Sequence, residues 1–323
     1  MLWLTWRQYR AQFLATAALL LLLGVVLLAS GLEASTQVLQ GAPSGCPGPG
    51  IGCRDVNLAL SERYQLVYQG FGYLPLVGPA LIGAFWGAPL IAREYERGTQ
   101  RLAWTQSVPI RRWLSVKLTA LVAAVALGGL LFSAMTSLWL PIFEEVVPTS
   151  FASPGTFNAT GVAPTAWWVF AFLVGTAASA VLRRTLPAMA VTVAVIAVTI
   201  PVLVLAQESY AEPVRAVASG TDELIRQGAL LVGESWVDTA GREVSTPAET
   251  MCPVPPGADV STPERAQQVT AECMAQRGYQ YTVFYHPAER FWRFQFAQAG
   301  ILLGVASVFA VLTVVFTRRR SRS

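Results

Sequence analysis

Apolar residues gather in six long runs along the chain. Each is ~20 residues long without a charged side chain, the length a helix needs to cross a bilayer. The runs are Phe13–Leu32, Tyr73–Ala92, Leu118–Leu140, Ala163–Leu182, Leu186–Ala206 and Ala297–Thr317. This pattern predicts an all-α polytopic membrane protein with six transmembrane helices. The first run is too long for the apolar core of a cleaved signal peptide, and is read as a retained span. Ahead of it, Leu2, Trp6, Tyr9 and Phe13 share one helical face, opposite Arg7, Gln8 and Arg10. That arrangement predicts an N-terminal interfacial helix lying along the membrane surface before the first span. Residues 33–72 read as a loop with a Gly/Pro-rich centre from Gly41 to Gly52. The second run carries Pro75, Pro79 and Pro89 with Gly78, Gly83 and Gly87, which predicts a kinked span in close contact with its neighbours. Arg183-Arg184-Thr185 leaves room only for a tight hairpin between the fourth and fifth spans.

The polar stretch 207–296, between the fifth and sixth runs, has its own signals. Thr262, Pro263 and Glu264 read as N-cap, first helical residue and first-turn acid, with Gly278 as the stop. Tyr279–Tyr285 is aromatic and β-branched, and reads as a strand. Ser235–Val244 reads as a hairpin turning at Ala240-Gly241. The expectation is a small extracytoplasmic α+β insertion, followed by an amphipathic aromatic approach, Arg290 to Phe294, to the last span. Three parts follow. Residues 1–206 hold the interfacial helix, five spans and the loop 93–117; residues 207–296 form the extracytoplasmic region; residues 297–323 form the sixth span and a basic cytoplasmic tail.

Composition supports the membrane reading, with 54% hydrophobic and 13% charged residues against about a quarter charged in soluble domains. Charge then orients the chain. With both termini in the cytoplasm, fourteen of the 23 Lys and Arg lie on inner segments, but only Glu94 and Glu96 of the 19 acids do. Basic residues flank spans on the cytoplasmic side, so the net positive charge is a topology signal and implies no nucleic acid. The four cysteines, Cys46, Cys53, Cys252 and Cys273, then all face an oxidising compartment that permits disulfides. Four cysteines allow three pairings, of which Cys46–Cys53 with Cys252–Cys273 is the simplest. One His and no Cys-x-x-Cys argue against a metal site.

Candidate chemistry is sparse. The only lysine, Lys117, follows no glycine-rich run, so the chain has no phosphate-binding loop of its own. The spans carry no Asp, Glu, Lys, Arg or His, which argues against an ion-coupled carrier. His286 reads as a loop residue, and no nucleophile, base and orienter cluster together. Asn158-Ala159-Thr160 is a glycosylation sequon by pattern only. No catalytic residue is assigned, and the chain is not read as an enzyme. What remains is the segment from Arg93 to Lys117. Glu94 and Glu96 extend the second span by about a turn, and Gly98-Thr99 breaks that helix. Gln100 to Gln106 forms a short amphipathic helix with Leu102 and Trp104, and Pro109 ends it. Arg111, Arg112 and Lys117 stand where the third span begins.

This segment resembles the cytoplasmic signature of the type-2 class of ATP-binding-cassette (ABC) exporter permeases: an acidic pair, a Gly-Thr, leucines, a proline, basic residues and a lysine entering the third span. The matching residues are Glu94, Glu96, Gly98, Thr99, Leu102, Pro109, Arg112 and Lys117. The opening Trp3 to Arg10 and the stretch Pro287 to Gln295 resemble an actinobacterial branch of that class. The resemblance implies a permease of the bacterial plasma membrane that works beside a second copy or a homologous permease. Two separate cytoplasmic ATPase subunits would carry the ATP and Mg. The short helix after Glu96 would seat in a groove of the ATPase, Glu94 and Glu96 would meet basic residues there, and a hydrophobic or amphipathic substrate would move outward. Many members have only short re-entrant helices where this chain has 207–296. A membrane-anchored sensor or enzyme acting through the extracytoplasmic region is the alternative; a copurifying ATPase separates the two.

Overall fold

The computed structural model describes residues 2–48, 51–98, 110–143, 151, 153–217, 224, 227–244, 247–253 and 262–319. The chain divides into two compact units, Met1–Tyr210 with Phe291–Ser323, and Ala211–Arg290. Among the described residues six helices are long and apolar enough to cross a membrane, and all belong to the first unit apart from the short start of the last one.

Helix α1 runs without a break over Leu2–Glu33 and ends in a π turn, Ala34–Val38. The expected interfacial helix is therefore continuous with the first span. No glycine or proline interrupts residues 2–23, so nothing local turns the chain. Helix α2 covers Arg54–Ile82. It begins well before the second apolar run, and most of the expected loop 33–72 is helical. From Arg54 to Gln69 there is neither glycine nor proline, so the helix continues through polar sequence. Cys46 and Cys53 are bonded across the remaining turn.

Pro75 and Pro79 lie within α2. The irregularity falls instead at Gly83–Gly87, a π segment closed by Ala88 N–H donating to the Gly83 carbonyl at 2.9 Å. Pro89 has no N–H to continue the regular ladder, and it starts a new helix, α3, Pro89–Glu96. Helix α4 spans Ile110–Trp139, and a one-and-a-half-turn helix α5, Pro154–Ala159, precedes α6, Ala163–Leu182. After two residues α7 follows, Thr185–Gln207, as the expected tight hairpin.

Helix α6 is the centre of the bundle, buried along nearly its whole length. Small residues allow this. A Cβ on Gly83 would lie 2.7 Å from the Ala171 carbonyl, and one on Gly175 would lie 2.8 Å from the Ala88 nitrogen. The two helices thus meet backbone to backbone, which drives association in lipid where apolar burial gives little. Gly129 likewise abuts the start of α6 at Thr165. The last helix, α10, Phe291–Arg319, packs on α6 through Phe309 and Phe170 and through paired hydroxyls of Thr313 and Thr176, 3.3 Å apart.

The second unit holds a three-stranded antiparallel sheet in the order β1-β3-β2. Its strands are β1 (Val214–Val217), β2 (Leu230–Val237) and β3 (Gln280–His286). Helices α8 (Ala248–Met251) and α9 (Pro263–Gln276) are joined by the Cys252–Cys273 disulfide. Thr262 Oγ accepts from Arg265 N–H at the start of α9, and Gly278, at φ 83°, ends the turn after it. The expected strand and hairpin are present: β2 turns at Asp238 and returns to a single bridge, Val237 with Glu243. Strand β1 had no counterpart in the sequence reading. His286, expected in a loop, is the last residue of β3 and fully buried.

Candidate functional site

The ends of α3 and α6 and the starts of α4 and α7 meet around residues 93–98, with Tyr9 of α1 beside them. Gly98 at φ 65° ends α3, its N–H donating to the Tyr95 carbonyl at 3.2 Å. A left-handed residue after the last turn is the usual helix terminator, and glycine adopts it without strain.

The two acids of α3 are both engaged within the chain. Lys117 of α4, 4% exposed, donates from Nζ to Glu94 Oε1 at 2.8 Å. The same ammonium lies 5.6 Å from the centre of the Tyr9 ring of α1, a favourable place for a cation. Tyr9 and Phe13 pack in turn against Trp86, whose indole N–H donates to Thr16 Oγ1 at 3.1 Å. Glu96, though exposed, grips the start of α7. Its Oε1 accepts from the Thr185 N–H and its Oε2 from the Thr185 hydroxyl, both at 2.7 Å. Arg184 at the N-cap position makes no side-chain cap bond, so a carboxylate from another helix supplies the anion that a helix start favours. Between the acids, Tyr95 lies under the guanidinium of Arg183, 4.9 Å from its ring centre. Arg183 is the one non-glycine residue at positive φ among the described residues, where it ends α6.

The result is a clamp. Three consecutive residues of α3 hold α4 by an ion pair, α6 by a cation on a ring and α7 by a cap. Of the residues expected at a coupling site, Glu94, Glu96, Gly98 and Lys117 come together here. Arg112 is on the exposed side of α4, where its carbonyl accepts from Ser115, and takes no part. Thr99, Leu102 and Pro109 lie outside the described residues. Glu96 stays exposed, and Glu94, expected like it to meet basic residues of a partner, is engaged by Lys117 inside the chain. Burial explains it: a lysine this enclosed needs a counter-charge, and Glu94 supplies it. Tyr9, Tyr95, Arg183 and Thr185 were not anticipated as members of the site.

The far end of the bundle has a second polar cluster that sequence reading missed. Gln295 of α10 accepts from Val162 and Ala163 N–H at 3.1 and 2.9 Å and donates to the Phe157 carbonyl at 2.7 Å. Asn158 accepts from the Trp167 indole at 2.8 Å and from Gln298. Asn158 is 6% exposed and its amide also donates to the Pro154 carbonyl. The sequon is therefore sealed inside the fold. These amides satisfy the backbone of the α5–α6 corner, where Gly161 at φ 66° brings the chain against Gln295. Their only sequence signal was amides at the start of an apolar run.

The described residues thus form six candidate spans with a clamped polar end. The family model described as ABC-2 membrane transporter related matches residues 17–207, more than half of the chain. The chain belongs to that family: it is a multi-pass permease of the ABC type, a class that works with an ABC ATPase. The match begins within the first span, runs through the fifth and leaves 1–16 and 208–323 outside. No curated protein and no solved structure matches.

Proposed function

We propose that this chain is an exporter permease of the actinobacterial-like branch, carrying a hydrophobic or amphipathic substrate such as a drug, antibiotic or lipid out of the cell. It sits in the bacterial plasma membrane with both termini and the loop 93–117 in the cytoplasm and with 211–290 outside. A second permease copy or a homologue completes the path. Separate ATPase subunits bind ATP and Mg and press on the segment 99–109. The observation that carries this reading is the clamp. A load applied just beyond Gly98 reaches α4 through Glu94–Lys117 and the α6–α7 hairpin through Tyr95 and Glu96. One docking segment thereby moves several spans together. Thr99 caps the docking helix, Leu102 packs into the ATPase, and Pro109 and Arg112 set its exit into α4.

Purification of the permease from its native membrane tests this. An ABC ATPase should copurify, and inside-out vesicles should take up a fluorescent amphiphile only with ATP. Leu102→Asp should lose both while the helical spectrum stays unchanged. Equal ATPase retention by Leu102→Asp, or labelling of a cysteine at position 100 in intact cells, would overturn the reading.

A further inference from the structure

Between α1 and α2 the bundle holds a groove of about 740 Å³, within the ~300–1,000 Å³ range of small-molecule sites. On α1 it reaches from Gln12 to Val26, roughly 20 Å at 1.5 Å per residue, more than one leaflet of a ~30 Å hydrocarbon core. Its walls are leucines and Phe85, its floor Ile82, Trp86 and Trp168.

Polar groups occur at defined places in this apolar slot. Gln12 lies at the end near α3, and its Oε1 is shielded from solvent with no hydrogen-bond partner among the described residues. An unpaired amide oxygen in hydrocarbon is unfavourable, so this atom calls for a donor. Arg93 lines the same end. The acids beside it are committed elsewhere, Glu94 to Lys117 and Glu96 to Thr185, and Arg93 makes no ion pair among the described residues. In the floor, no hydrogen bond from the Trp168 indole N–H occurs among the described residues. That nitrogen would lie 3.7 Å from a Cβ on Gly78, so the glycine leaves it uncovered.

We infer that this groove binds an anionic amphiphile, with a negatively charged, hydrogen-bond-donating head at Arg93 and Gln12 and one slender apolar tail running toward Val26. Charge complementarity chooses the occupant: a cationic head would meet Arg93 unfavourably, and a purely apolar molecule would leave Gln12 unpaired. The groove stands on its geometry; its use as the place where cargo is loaded rests on the exporter reading.

The experiment uses the full chain in phosphatidylcholine nanodiscs, with Trp168 quenching read as the difference between the wild type and Trp168→Phe. Brominated phosphatidylglycerol should quench at about tenfold lower mole fraction than brominated phosphatidylcholine. Arg93→Gln should erase that preference and Arg93→Lys keep it. Gly78→Leu, which fills the slot, should remove quenching by both lipids. Lysophosphatidylglycerol, with one acyl chain, an anionic phosphate and hydroxyls that donate, tests the one-tail fit. If it displaces the brominated lipid, a single tail fills the groove as proposed; if it does not, the one-tail assignment is overturned. Equal quenching by both headgroups in the wild type, or an Arg93→Gln preference unchanged, would overturn it. No ATPase enters the assay. Headgroup-selective quenching without a copurifying ATPase would therefore sink the exporter reading and leave the site. Export without such quenching would sink the site alone.

Discussion

The membrane bundle and the inserted unit 211–290 are stabilised by opposite means. The bundle's one disulfide, Cys46–Cys53, only closes the turn before α2, and its helices rely on glycines that bring backbones together, on an enclosed ion pair and on buried amides. The insert has one three-stranded sheet, a short list of buried apolar side chains such as Val237, Met274 and Val283, and a disulfide that joins its two helices. The solvent explains the difference. Lipid tails are as apolar as leucine, so helices in a bilayer gain from close contact and internal hydrogen bonds. A unit this small in water gains from apolar burial, but has little core to bury and needs a covalent staple.

The largest effect expected from breaking this contrast is at Gly175. A side chain there meets backbone of the Gly83–Ala88 segment and not a movable side chain. Gly175→Leu should exceed the ~1–3 kcal/mol of ordinary overpacking and leave no monodisperse protein in detergent, while Gly233→Leu in the insert, with open space around its Cβ, should express normally. Comparable size-exclusion profiles for the two variants would show that the backbone contact does not hold the bundle.

The ion pair comes next. Glu94→Gln or Lys117→Met alone strands an enclosed partner and should destabilise the bundle by about 3–5 kcal/mol. The double variant should recover most of that loss, because both charges go together. A thermal-unfolding double-mutant cycle in detergent measures the coupling; strict additivity would mean the two residues act independently. The pair also limits tests of coupling by charge reversal at Glu94, since a lysine there would face Lys117.

For the insert, Cys252→Ser with Cys273→Ser should remove about 2–4 kcal/mol. Hydrogen exchange should quicken in α9 and β3 and stay unchanged in α6. Faster exchange in α6 would show that the bundle depends on the staple.

The smallest expected effect is the Asp238 turn. Backbone and side-chain bonds from Arg242 and the Ala240 N–H hold its carboxyl below the usual carboxylate range. A depressed folded-state value stabilises the turn above the unfolded-state pKa, and that contribution disappears as pH falls through the lower folded-state value. Amide exchange at Ala240 and Arg242, corrected for its intrinsic pH dependence, should lose protection only in that acidic window. Asp238→Asn should show no such step.

Local pattern determined much of this protein. The six apolar runs gave six spans because hydropathy adds up along a single helix whatever its neighbours are. Thr262, Gly98 and Gly278 marked their boundaries because capping and positive φ are decided within a few residues. Arg183-Arg184 left too little chain for anything but a hairpin. The polar extension of α2 was missed because hydropathy reports where lipid can lie and is blind to where a helix begins. The clamp was legible only as a set of residue types. Glu94 finds its lysine 23 residues away and Glu96 finds its helix start 89 residues away. Which charges pair depends on which helices the backbone-close contact at Gly83 and Gly175 sets side by side. The same holds for Gln295, which reaches the α5–α6 corner from 133 residues further along the chain. Tertiary structure alone decided these contacts, because a buried polar group is satisfied by whatever lies across the interface, and sequence distance carries no record of that.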